Sequence, residues 1–233
     1  MYFSHSGDLG DIIYALPTIR ACGGGELWLF NYPGRTTHQM TKERAERLRR
    51  LIEHQDYITT FGFTEQPTDT SINGFRDHKR QGNTSDKHLS TMGLDWRHRT
   101  TAWLNVPEAI KTHRVVINRT PRYQSQWFDW GAVCDKYQGN IGFIGLYDEW
   151  IDFCNTFKKS IPRIPANDLM EVAQAIAGCD IYLGNATCST AIAEGLKHPN
   201  NIVEVTEQTD SDVRFNRYGV SYVQDGKIEL PEL

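Results

Sequence analysis

MYFSHSGDLGDIIYALPTIRAC, residues Met1 to Cys22, reads as strand, glycine turn and helix in a single run. Met1–Ser4 joins two aromatics to a serine and is predicted to be a short first strand. Ser6-Gly7-Asp8-Leu9-Gly10 then supplies two glycines within a few residues, where a strand has to turn sharply. From Asp11 onward Ile12, Ile13, Ala15, Leu16 and Ile19 recur at helical spacing, so a helix begins there. An acid in its first turn is favoured by the helix dipole. Strand, turn and helix open a βαβ unit, and in open α/β sheets ligands gather at the C-terminal edge of the strands. Asp8 and Asp11 therefore stand where a ligand is expected. Two roles are open to them, simple helix capping and acid–base chemistry. Gly7-Asp8-Leu9-Gly10 lacks the G-x-G-x-x-G spacing, which argues against a nicotinamide cofactor.

The remaining chain repeats the alternation. Predicted strands lie at Glu26–Phe30, Tyr57–Phe63, Val115–Ile117, Ile141–Gly145, Asp180–Leu183 and Asn201–Val205. Predicted helices lie at Thr41–His54, Phe128–Tyr137, Glu149–Phe157, Leu169–Ala177 and Thr190–Leu196, and a turn at Asn31–Gly34. Cys22–Gly25 ends the first helix with glycines, and Tyr218–Leu230 reads as a hairpin around Asp225-Gly226. This pattern implies an α/β protein with two doubly wound, mostly parallel sheets. A transition at Ala102–Pro107 places the domain boundary, giving 1–105 and 106–233. The cations of Thr41–His54 (Lys42, Arg44, Arg47, Arg49, Arg50) are interleaved with Glu43 and Glu46 and read as a solvated helix face.

Residues 64–100 are polar and lack periodicity. They carry Arg76, His78, Lys79, Arg80, Lys87, His88, Arg97, His98 and Arg99. Such a long loop is commonly functional, and Arg76, Lys79 and Arg80 are assigned to the acceptor side of a site. Trp96 and Trp103 are expected to anchor its end.

Composition sets outer bounds. The 233 residues suffice for a sizeable core, and 39% hydrophobic with 23% charged residues suits a globular chain. A formal charge of −4 does not favour general nucleic-acid binding. Five cysteines without metal-ligand spacing suggest reduced, mostly buried thiols and no zinc site. No apolar run is long enough for a transmembrane segment, and the immediate first strand leaves no room for a signal peptide, so a cytoplasmic location is expected.

SHSGDLGDIIYALPTIRA resembles the N-terminal motif of the heptosyltransferase-like glycosyltransferases, glycosyltransferase family nine, with Gly10-Asp11 and Leu16-Pro17 matching in place. DLMEVAQAIAGCDIYLGNATCSTAIAEGL, from Asp168, is similar to the C-terminal signature of the same family. The resemblance implies a GT-B-like fold, two Rossmann-like domains facing a cleft, with a nucleotide-sugar donor on the C-terminal domain and the acceptor on the N-terminal one. It implies a diphosphate at the turn Gly184, Asn185, Thr187, Cys188, Ser189 and Thr190, where a helix N-terminus and hydroxyls make an anion site. Arg119 and Arg122, with Thr120 between them, are assigned as a phosphate clamp or else a solvent-facing loop. Glu149 matches a family Glu near the donor sugar or ribose, or is an ordinary first-turn acid. Gly10 is assigned to the donor set.

The expected activity is that of an inverting glycosyltransferase without metal or other cofactor. Asp11 would be the general base and Asp8 the alternative. The acceptor would be a saccharide; a hydroxymethylated base in DNA, as for viral-type DNA glycosyltransferases, is an alternative. Another is a non-catalytic nucleotide or nucleotide-sugar binder. The chain departs from the family at Ala186 and Ala191, where it usually carries Asp and His, and at Cys188, where it carries Gly.

Overall fold

The structure is a computed structural model that describes residues 1–32, 39–67, 70–77, 79–223 and 229–233. The chain divides into two compact units, Met1–Pro107 with Asp168–Met170, and Glu108–Asn167 with Glu171–Leu233.

The first unit is built from β1 (Tyr2–His5), α1 (Leu9–Ala21), β2 (Gly25–Leu29), α2 (Lys42–Glu53), β3 (Ile58–Phe63), β4 (Thr70–Ser71) and α3 (Thr84–Thr91). Single 3₁₀ turns cover Asn73–Arg76 and Trp96–Arg99. Its sheet runs β3-β2-β1-β4, with every pairing parallel. β1 lies between β2 and β4, so connections leave it in opposite directions and its C-terminal end is a switch point. α1 buries Ile12, Ile13, Leu16 and Ile19 completely, as its spacing requires. Its interior Pro17 cannot donate to the carbonyl one turn back. At the far end Gly24, at φ +82°, packs so close to the Tyr57 carbonyl that an added Cβ would lie 2.4 Å from it.

The second unit comprises β5 (Val115–Asn118), α4 (Trp130–Lys136), β6 (Ile141–Ile144), α5 (Tyr147–Phe157), β7 (Arg163–Ile164), α6 (Leu169–Gly178) from Glu171 onward, β8 (Ile181–Gly184), α7 (Cys188–Gly195), β9 (Asn201–Glu204), α8 (Asp210–Val213) and β10 (Val220–Val223). The order β10-β9-β8-β5-β6-β7 is again all parallel. Here the switch point falls between β5 and β8. The strands are apolar on both faces, as a sheet covered on both sides demands. Val115, Ile117, Trp130, Phe143, Phe153, Ile181 and Leu183 form its main core.

Three expectations are corrected. Residues 64–100 are not one loop: they supply β4 and α3, and α3 packs Ser85, His88 and Leu89 inward against α1. Its start is fixed by Asn83, whose side chain accepts from the Asp86 amide while Asp86 accepts from the Asn83 amide. Trp103 is buried as an anchor, whereas Trp96 is exposed beneath Arg99. Of the hairpin expected near the C-terminus, Val220–Val223 is instead a strand parallel to β9; Asp225 and Gly226 lie outside the described residues, as do His78 and the Pro33-Gly34 end of the early turn. Among the thiols Cys134 and Cys179 are buried, while Cys22, Cys154 and Cys188 are half-buried. No helix among the described residues is long and apolar enough to cross a membrane.

Candidate functional site

Each unit gathers polar side chains at its own switch point. In the first, the turn Ser6–Asp8 leaves the end of β1 and enters α1. Gly7 is wedged there: an added Cβ would lie 2.4 Å from the His5 ring and 2.6 Å from Asp11 Cβ. Five side chains hold the turn and the helix start behind it. The Gly7 amide donates to His5 Nδ1 at 2.9 Å, and the Asp8 amide to Asp11 Oδ2 at 3.0 Å. Ser6 donates to Asn73 Oδ1 from both its amide, at 2.9 Å, and its hydroxyl, at 3.1 Å. Arg76 Nη2 reaches Asp11 Oδ2 at 2.5 Å, and Arg44 Nη2 reaches Asp8 Oδ1 at 3.3 Å. Asp11 thus does cap α1, and it is at the same time a partly exposed carboxylate at a sheet's ligand edge, 24% accessible.

The cations assigned to an acceptor divide. Arg76 serves Asp11. Arg80 donates to the Gly74 carbonyl and to Ser90 Oγ, which ties the 3₁₀ turn to α3. Lys79 is exposed. Arg97 and Arg99 pair with Asp95 and Asp86. Arg44 was read as part of a solvated face, and nothing local in the sequence marks its reach to Asp8.

In the second unit the loop after β5 meets the turn after β8. Asn185, fully buried, makes the join. Its Oδ1 accepts from the Thr120 amide at 3.1 Å, and its Nδ2 donates to the carbonyls of Thr120 at 3.1 Å and Arg122 at 2.7 Å. One amide side chain thereby satisfies three backbone groups of a loop that has no ladder partner. Asn118, the polar last residue of β5, donates to the Ile144 carbonyl at 2.6 Å and accepts from Thr187 Oγ1 at 2.8 Å. It was not assigned from the sequence, although a polar residue ending an apolar strand at this edge is the signal to look for. Gly184 closes the turn, because a Cβ there would press on Tyr182 and Thr190.

The hydroxyls expected to face a ligand are mostly committed within the fold. Thr187 Oγ1 caps α7 by accepting from the Thr190 amide. Thr190 Oγ1 donates to the Asn185 carbonyl at 2.6 Å, and the Ser189 side chain is buried. Cys188, half-buried, begins α7, whose first-turn amides point out of the helix. Arg119 does not form an open phosphate clamp. Its guanidinium is buried, pairs with Glu204 through Nε at 3.1 Å and Nη2 at 3.2 Å, and lies 5.0 Å from the Phe157 ring centre. Glu204 also accepts from the Ser125 amide and from Trp130 Nε1, so every oxygen of this buried carboxylate is used. Arg122 stays at the edge, its guanidinium 5.4 Å from the Tyr123 ring centre. Glu149 caps α5 by accepting from the Leu146 amide at 3.0 Å. Burial pushes its carboxyl above the usual range, against that hydrogen bond and the nearby Arg122 charge. Gly10 lies in the first turn of α1, in the other unit from the rest of the donor set. No cluster of three or more His, Cys, Asp or Glu suited to a metal ion occurs among the described residues.

Two parallel sheets, each with polar loops at a switch point, are the architecture of the GT-B-type glycosyltransferases, and this chain shares the fold of family nine. The family nine glycosyl transferase from Veillonella parvula DSM 2008 matches over 96% of this chain and 85% of its own, with 10% identity and a TM-score of 0.66. Escherichia coli heptosyltransferase WaaC, solved with ADP-2-deoxy-2-fluoro heptose, matches over 94% and 92%, with 14% identity and a TM-score of 0.50. The iron-containing dodecameric glycosyltransferase TibC of enterotoxigenic Escherichia coli matches over 97% of this chain and 63% of its own, at 12% identity and a TM-score of 0.57. At these identities the likeness is one of fold. No protein-family model and no curated protein matches the chain.

Proposed function

We propose that the protein is a glycosyltransferase that moves a sugar from a nucleotide-sugar donor to an acceptor hydroxyl. The observation that carries this is the Asn185 clamp. It fixes the loop after β5, which carries Arg122, against the turn into α7, so that backbone amides and a helix N-terminus stand together at a switch point. That arrangement suits a diphosphate. Fold kinship to three glycosyltransferases supports the same reading.

In the proposed reaction Asp11 accepts the proton of the acceptor hydroxyl while its oxygen attacks the anomeric carbon. The bond from that carbon to the diphosphate oxygen breaks with inversion, and the electron pair leaves on the nucleoside diphosphate. Arg76 orients Asp11 through the 2.5 Å contact to Oδ2. The α7 amides and Arg122 meet the charge developing on the leaving group, so the reaction is drawn without a metal. Arg119 is assigned a supporting role in this scheme, since it is engaged by Glu204. A saccharide acceptor is favoured over DNA, because Arg76, Arg80, Arg97 and Arg99 are all drawn onto acceptors of their own unit.

One observation favours a second reading, binding without turnover: Ala191, where the family usually carries His, is fully buried within α7 and offers a ligand nothing. A thermal-shift screen against nucleoside diphosphates and nucleotide sugars, followed by an assay of acceptor-dependent nucleotide release, separates the two. A ligand at 100 times its dissociation constant stabilises by about 2.7 kcal/mol. Absence of stabilisation by every nucleoside diphosphate would sink both.

A further inference from the structure

His5 closes β1, His88 sits on α3, and both are fully buried. Their Nε2 atoms are 2.9 Å apart. The surrounding donors decide where each proton resides. The Gly7 amide donates to His5 Nδ1, so that nitrogen is bare and Nε2 carries the proton. This Nε2–H faces His88 Nε2, which must accept. His88 Nδ1 then carries its proton and donates to the Thr84 carbonyl at 2.7 Å. Gly7, His5, His88 and Thr84 form one directed chain in which both rings are neutral.

A second line of contact starts from the same pair. Phe75 stacks on His88 with ring centres 4.0 Å apart and 19° between planes. The Arg76 guanidinium lies 4.7 Å from the Phe75 ring centre, and Arg76 holds Asp11. Both lines end at Asp11, one through the Gly7 main chain packed on Asp11 Cβ and the other through Arg76.

We propose that His5 and His88 are positioning residues for Asp11: their shared hydrogen bond sets the Gly7 turn and the Phe75–Arg76 stack that together aim its carboxylate. Apolar side chains of similar volume would fill the space equally well but would give the turn no direction. Two buried histidines are tolerable only because every ring nitrogen is satisfied. Burial, with Arg76 and Lys87 adding repulsion against the Thr84 hydrogen bond, holds His88 neutral down to about 3. The pair therefore acts as a fixed strut at ordinary pH.

The inference rests on the glycosyl-transfer reading only in its kinetic arm. Ring-¹⁵N spectra of the wild-type protein should show His5 as the Nε2–H tautomer and His88 as the Nδ1–H tautomer. His88→Leu removes the acceptor, while His88→Gln keeps one near the Nε2 position. In His88→Leu, Gly7 amide exchange should quicken and the Asp11 carboxyl ¹³C signal should move, and both should return toward wild type in His88→Gln. Turnover should fall ~10-fold or more in His88→Leu with donor KM nearly constant, and recover in His88→Gln. A reversed tautomer in the wild type, or unmoved Gly7 and Asp11 signals in folded His88→Leu, overturns the proposal. If those signals move as stated while the wild type turns over no nucleotide sugar, the positioning role stands and the glycosyl-transfer reading fails.

Discussion

Arg76 and Asp11 are 65 positions apart in the chain, yet Arg76 Nη2 lies 2.5 Å from Asp11 Oδ2. The contact joins the turn after β4 to the first turn of α1, across the switch point of the first sheet. Asp11 thereby serves two masters, the Asp8 amide that it caps and the guanidinium that orients it. Replacing Asp11 by Asn keeps an amide oxygen that can accept from the Asp8 amide, but removes proton acceptance. Turnover should drop at least ~10²-fold, with donor affinity nearly constant. Asp8→Asn is the control, because the Asp8 carboxylate faces Arg44 at 3.3 Å rather than Arg76. Steady-state kinetics with separate donor titration decide it, and normal turnover in both variants removes the catalytic role of this turn.

Asn185→Ala deletes three hydrogen bonds from a fully buried position and leaves the Thr120 amide and two carbonyls to find other partners. The loss of stability should be about 2–4 kcal/mol, from roughly 1 kcal/mol or more per bond left unmade. Urea unfolding measures it. Nucleotide affinity should fall further than stability alone accounts for, because the loop after β5 loses its anchor. Wild-type nucleotide affinity in the folded variant would contradict the donor-site assignment.

Thr187→Asp separates capping from ligand binding at α7. Asp is a good N-cap, so the helix start that Thr187 now secures should persist. The new charge would stand where a diphosphate is proposed to lie. Thermal stability without ligand should fall by about 1–3 kcal/mol, because Asp keeps the cap but cannot donate to Asn118 Oδ1 as Thr187 does, while nucleoside-diphosphate binding is abolished in calorimetry. Binding that survives would move the diphosphate elsewhere.

His88 and His198 make stability depend on acid. Burial lowers both, His88 to about 3, so below the unfolded value near 6.5 the unfolded chain takes up protons that the folded chain refuses. Stability is therefore complete above that value and is lost as pH falls, at up to about 1.4 kcal/mol per pH unit for each histidine. His88→Gln should flatten the fall between pH 6 and 4 by one histidine's share. The comparison between variants cancels the carboxylates, including Glu149, whose raised value works in the opposite sense. Parallel slopes in the two proteins would mean that His88 is protonated in the fold.

Local pattern carried much of the architecture. Apolar spacing in α1, α2 and α6, apolar runs in β2, β5, β6, β8 and β9, and glycines between them were enough for two parallel sheets. Periodicity is a property of neighbours in the chain, so it survives without knowledge of distant partners. α3 escaped because its inward face is Ser85, His88 and Leu89, too polar to register as an apolar stripe; its Asn83–Asp86 capping pair was the readable signal. The resemblance to family nine rested on two motifs at switch points, where chain direction and ligand edge coincide. Tertiary structure alone decided what each polar residue touches. Arg119 meets Glu204 85 positions away, Thr187 meets Asn118 69 away, and His5 meets His88 83 away. A side chain at a strand's end can turn to solvent, to a ligand or into its own core, and the sequence around it is the same in all three cases. Which one wins depends on the burial and hydrogen-bond partners that strand order brings alongside, and strand order is a non-local property of the folded chain.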